Sequence, residues 1–66
     1  MRDEYIRAIT GQILGVIRTF DNGDQAALNY PGMQILGYYR KRQDVTTDLV
    51  GRILSRSNTV ISLIYK

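Results

Sequence analysis

Three stretches decide the fold: Ile9-Thr10-Gly11-Gln12-Ile13-Leu14-Gly15-Val16-Ile17, Pro31-Gly32-Met33-Gln34-Ile35-Leu36-Gly37-Tyr38-Tyr39 and Leu49-Val50-Gly51-Arg52-Ile53-Leu54-Ser55. The first two share Gln-Ile-Leu-Gly, and the third keeps the frame with Arg for Gln and Ser for the last Gly. The Ile-Leu pair recurs after 22 residues and then after 18. A period of about 20 residues is short for a helix pair and right for one β-hairpin per repeat. Between the units stand turn signals, Asp21-Asn22-Gly23-Asp24 with its Asn-Gly pair and Tyr30-Pro31-Gly32, where Pro-Gly suits the centre of a type II turn.

A helix competes for the first third of the chain. Ile6, Ile9, Ile13, Val16, Ile17 and Phe20 fall at spacings of three and four, as on an amphipathic helix. Gly11 and Gly15 oppose it, each costing about 1 kcal/mol relative to Ala in a helix, as does the density of Ile, Val and Thr. Two helices flanked by loops leave the regularly spaced turns unexplained. The expected fold class is therefore all-β: an antiparallel meander of about six short strands near 4–10, 12–20, 25–30, 34–41, 44–50 and 52–56. It forms one domain, residues 1–66, with repeats near 9–30, 31–48 and 49–66. Turns are expected at Gly11, Asn22-Gly23, Pro31-Gly32, Gln43-Asp44 and Gly51. Gly15 and Gly37 stand inside strands, where glycine marks a bulge, a bend or the close approach of another backbone.

Residues 58–66 leave two conformations open. Asn58 suits a helix N-cap, while the β-branched residues that follow suit a final strand. The segment is strongly apolar either way, and Val60, Ile61, Leu63, Ile64 and Tyr65 form the candidate oligomer interface.

Composition narrows the chemistry. The 66 residues include neither Cys nor His, which excludes disulfides, thiolate nucleophiles, thiolate metal sites and the commonest general base. A core drawn from so few residues rarely supplies more than about 3–5 kcal/mol, and self-association is the reinforcement that remains. The three serines, Ser55, Ser57 and Ser62, and several Thr have no His to activate them, and no glycine-rich phosphate loop precedes a helix. Asp44 and Asp48, taken as strand residues four apart, lie about 13 Å from one another at the rise of a strand, too far for paired-carboxylate catalysis. Asp21-Asn22-Gly23-Asp24 echoes the start of a calcium loop, but Gly32 stands where the closing Glu would fall. No catalytic residue, metal ligand or cofactor is expected, and an enzyme is not.

Nine Lys and Arg against six Asp and Glu give a net charge of +3. The excess is mild and spread over the whole length; the sharpest local feature is Tyr38-Tyr39-Arg40-Lys41-Arg42, where aromatic rings stand beside cations in the manner of single-stranded nucleic-acid binding. In a strand Tyr38 and Tyr39 point to opposite faces, so only one can join a stacking platform; the plain role of the cations is to keep a hairpin tip soluble. Met1-Arg2-Asp3-Glu4 is unlike a signal peptide, and no segment reaches the ~18 apolar residues of a membrane span. A cytoplasmic location and no membrane partner are expected.

The unit Gly-(Gln/Arg)-Ile-Leu-Gly, with Asp44-Val45-Thr46-Thr47-Asp48 leading into Gly51-Arg52-Ile53-Leu54, resembles the Asp-x-x-Gly-Arg-Ile-Leu-Gly repeats of short uncharacterised bacterial proteins, including those described as four-fold β-flower domains. It is distantly similar to the tyrosine-aspartate repeats of Rhs-type toxins, whose Asp-x-x-Gly-Arg kernel is met here by Asp48-Leu49-Val50-Gly51-Arg52. The resemblance spans most of residues 9–56 and implies a β-repeat fold and self-association. The expected function is a structural or protein-interaction module acting as a homo-oligomer, a dimer by preference; the alternative is a small basic nucleic-acid-binding protein.

Overall fold

The computed structural model describes residues 1–65 and is an antiparallel meander of six strands followed by a single 3₁₀ turn. The strands are β1 (Arg2–Arg7), β2 (Ile13–Thr19), β3 (Gln25–Asn29), β4 (Ile35–Arg40), β5 (Val45–Asp48) and β6 (Ile53–Ser55). They form one sheet in sequence order, with β1 and β6 at its edges. Among the described residues the tail forms neither a full helix nor a strand, only the turn Val60–Leu63. No helix of the described residues is long and apolar enough to cross a membrane.

Each repeat is a hairpin whose returning strand begins with Ile-Leu. Ile6 pairs with Gly15 while Arg7 pairs with Ile13, so Leu14 is an extra, bulged residue. Leu36 and Leu54 hold the same place, because Ala27 and Leu28 pair with Gly37 and Ile35, and Thr46 and Thr47 with Ser55 and Ile53. A bulge bends its strand and increases the local twist. Its recurrence after every Ile explains why the Ile-Leu pair is the constant part of the repeat.

The three repeat turns close alike: the Ala8, Asn29 and Asp48 amides donate to the carbonyls of Gln12, Gln34 and Arg52. The residue just before Gln12, Gln34 and Arg52 has positive φ in each case, and it is Gly11, Met33 or Gly51. The expected type II turn at Pro31-Gly32 is therefore not formed. The middle loop is one residue longer, the Tyr30–Pro31 bond is cis, and Met33 (φ 57°) rather than Gly32 takes the left-handed conformation. The Asn29 carboxamide oxygen accepts the Gln34 amide at 2.8 Å and holds the longer loop closed. The first strand also starts and ends earlier than expected, since Ala8 to Gln12 belong to a turn.

Strand alternation sorts the apolar residues onto two faces. On one, Ile6, Ile17 and Ala27 are buried with Val60 from the tail, and Leu36, Tyr39, Leu63 and Ile64 pack against them. On the other, Val16, Ala26 and Leu28 are buried among Phe20, Met33, Ile35 and Tyr38. The tail reaches the first face because Gly15 and Gly37 leave room for it: a Cβ on Gly15 would lie 2.9 Å from Ile64 Cγ1, and one on Gly37 would lie 2.7 Å from Leu63 Cδ1. Thr46 pins the chain as it crosses, donating to the Ser57 carbonyl at 2.7 Å and accepting the Thr59 amide at 3.0 Å.

The same glycines face a second obstacle. A Cβ on Gly15 would stand 2.7 Å from the Leu28 carbonyl oxygen of β3, and one on Gly37 would collide with the Thr47 carbonyl of β5. Ser55, at the equivalent position of β6, has no further strand beside it. Its hydroxyl instead lies 2.6 Å from that of Thr59.

Candidate functional site

In a meander the β2–β3 and β4–β5 turns lie at one end of the sheet and the three repeat turns at the other. At the first end the sequence Asp21-Asn22-Gly23-Asp24 forms a tight turn closed by its own hydrogen bonds. The Phe20 amide donates to the Asp24 carbonyl at 2.8 Å, the Asp24 amide donates to Asn22 Oδ1 at 3.0 Å, and Gly23 takes φ 93°. The neighbouring turn, Lys41 to Asp44, has Asp44 at φ 54°, a conformation that Asp tolerates better than most residues.

Asp24 ties the two tips together. Its carboxylate accepts the Lys41 amide at 2.9 Å and lies 3.5 Å from the Arg40 guanidinium, while the alkyl chain of Lys41 lies across Gly23. Between them opens a cleft of about 740 Å³ lined by Asn22, Asp24, Arg40, Lys41, Arg42 and Gln43. It continues into a smaller hollow that reaches Phe20 and Tyr38. The Arg40 guanidinium stands 4.7 Å over the Tyr38 ring centroid.

The structure thus brings Tyr38, Arg40, Lys41 and Arg42 together and separates Tyr39 from them. Tyr39 lies on the opposite face and donates its phenol to Asp44 at 2.7 Å; that hydrogen bond to a carboxylate, with desolvation, raises the Tyr39 pKa above 10.0. The cleft residues that sequence reasoning did not join to this site are Gln43, next in the chain to Arg42, and Phe20, Asn22 and Asp24, which sit about one hairpin earlier.

At the other end of the sheet the third hairpin presents an apolar tip and edge. Leu49 and Val50 in the turn are 60% and 79% exposed, and Ile53 and Leu54 on β6 are 51% and 53% exposed. Asp48 organises this turn by accepting the Arg52 and Val50 amides at 2.9 and 3.1 Å and the Arg52 guanidinium at 3.2 Å. The Arg52 amide above all, together with Val50 and the Arg52 charge, holds the Asp48 carboxyl below its ordinary 3.8. A shallow depression lined by Leu36, Asp48, Leu49, Val50 and Arg52 lies beside the tip.

The tail residues singled out in the sequence fall in two groups. Val60 is buried, and Leu63 and Ile64 are half-buried against the sheet of their own chain. Ile61 and Tyr65 are exposed, at 42% and 55%. Among the described residues no three Asp, Glu, His or Cys side chains converge to hold a metal ion. Asp44 and Asp48 are each engaged locally, by Tyr39 and by the third repeat turn. No family model, curated protein or solved structure matches this chain.

Proposed function

We propose that the chain is a non-enzymatic structural or protein-interaction module that acts as a homo-oligomer, a dimer by preference. The observation that carries this is the third hairpin, where Leu49, Val50, Ile53 and Leu54 are all more than half exposed on one small unit. Exposed apolar side chains concentrated on one hairpin and flanked by polar groups support an association site there. The rim is present: Arg52 and Asp48 flank the tip, and Arg56 follows the strand. A second copy offers the same patch, so the contact is self-complementary about a two-fold axis. The small core gives the association a physical reason, since burying these side chains adds to a stability that one chain supplies sparingly.

Light scattering at low micromolar concentration is expected to give the mass of two chains. Leu54→Lys, placed on an exposed edge, is expected to shift that mass to one chain while keeping the β-sheet circular dichroism spectrum. A wild-type mass of one chain overturns the proposal.

A further inference from the structure

We propose that the cleft between the two hairpin tips binds a phosphate ester bearing a planar base, with the phosphate held by Lys41 and Arg42 and the base on the ledge formed by Phe20 and Tyr38. Three cations converge there against the single carboxylate of Asp24. Asp24 already spends its oxygens on the Lys41 amide, Asn22 and Arg40, so it neutralises Arg40 and leaves the other two cations uncompensated. The side chain of Lys41 lies across Gly23, beside the cleft. Oxyanions are the ligands that such a constellation selects, and Arg adds the planar fork that suits phosphate.

The second half of the argument is the adjoining hollow. The surface continues from Arg40 onto Phe20 and Tyr38, both partly exposed. Aromatic faces next to a cationic groove favour an unstacked base over an acidic peptide, which has nothing to place there. The Arg40 guanidinium lies 4.7 Å over the Tyr38 ring and offers a cation beside the ledge. A base locked within a duplex has no free face to offer, so the ligand is a single strand or a free nucleotide.

The test is fluorescence anisotropy with a short labelled oligothymidylate, with competition by a thymidine mononucleotide, a DNA duplex, polyglutamate and inorganic phosphate. Binding is expected to weaken with salt at a log–log slope of about −1.4, as the two uncompensated cations Lys41 and Arg42 require for a single strand. Lys41→Gln with Arg42→Gln is expected to flatten that slope to near zero, and Phe20→Leu to weaken binding at least about fivefold. Thermal midpoints close to wild type show that the variants remain folded. Competition by the mononucleotide that is lost with Phe20→Leu assigns the site to free nucleotides, and competition by the oligomer alone assigns it to strands. No binding at low salt, binding indifferent to Lys41 and Arg42, or equal competition by polyglutamate, duplex or inorganic phosphate overturns the proposal.

Discussion

Gly37 carries two constraints at once. The backbone of β5 approaches it on one side, and Leu63 from the tail rests on it from above. Gly37→Ala therefore places a methyl group against a carbonyl that the sheet hydrogen bonds hold in position, and against a side chain in the core. Overpacking of this kind costs typically 1–3 kcal/mol, and here the cost is expected at about 3 kcal/mol because neither neighbour is free to move. Ser55→Ala at the matching position of β6 removes only the contacts with Ser57 and Thr59 and is expected to cost about 1 kcal/mol. Urea denaturation of both variants checks the contrast. The sequence showed both glycines and the departure at Ser55, and it left a bulge, a bend or a close approach open at the glycines. It did not show what approaches them, because contacts made across strands and by the tail depend on register, which the bulges shift by one residue in every repeat.

Asp48 acts on its hairpin through charge. Folding lowers its pKa below 3.8, so the ionised form is the one the turn favours. Its contribution is present in full above 3.8 and is lost as pH falls through the lower, folded value. The Val50 and Arg52 amide resonances are expected to shift together below pH 3.8, with Asp48→Asn abolishing that titration; an NMR pH series reads it directly. Asp3, held below 3.8 by its hydrogen bonds to Arg18, moves in the same direction on β1.

The tail is the other element with a clear assignment. Truncation after Ser57 removes Val60, Leu63 and Ile64 from the face they cover. A fully buried side chain of this size is worth about 1.5–3 kcal/mol, comparable with the whole stability expected of so small a core. The truncated chain is expected to lose its cooperative thermal transition, which calorimetry checks. Strand count and order were legible because turn residues and the Ile-Leu period agree. The 3₁₀ turn was not: four residues carry too little periodicity to separate helix from strand, and the glycines that seat it lie far away in sequence. The tip cleft was half legible for a similar reason. Arg40, Lys41 and Arg42 stand together in the chain, but Asp24 and Phe20 join them only through the pairing of β3 with β4 and of β2 with β3.

At the scale of the molecule the two ends of the sheet differ in character. The end with the β2–β3 and β4–β5 tips is polar and cationic, while the third repeat turn at the opposite end is apolar. The two proposed contacts therefore do not compete for surface, and Leu54→Lys and the Lys41/Arg42 pair can be combined to separate them. β1 and β6 are also unlike as edges. β1 carries Arg2, Asp3, Glu4 and Arg7, charges that discourage pairing with a stray strand, whereas β6 is only three residues long.

Ser55 gives the sheet a defined last strand. An incoming strand that continued the repeat in its own register would bring a carbonyl to the space that the serine Cβ fills, and would also set Arg56 opposite the Arg7 of its neighbour. In the language of polymers, glycine at this position is the propagating unit and serine the terminator. The repeat that builds the domain is thus kept from building a fibre by endless addition at this edge.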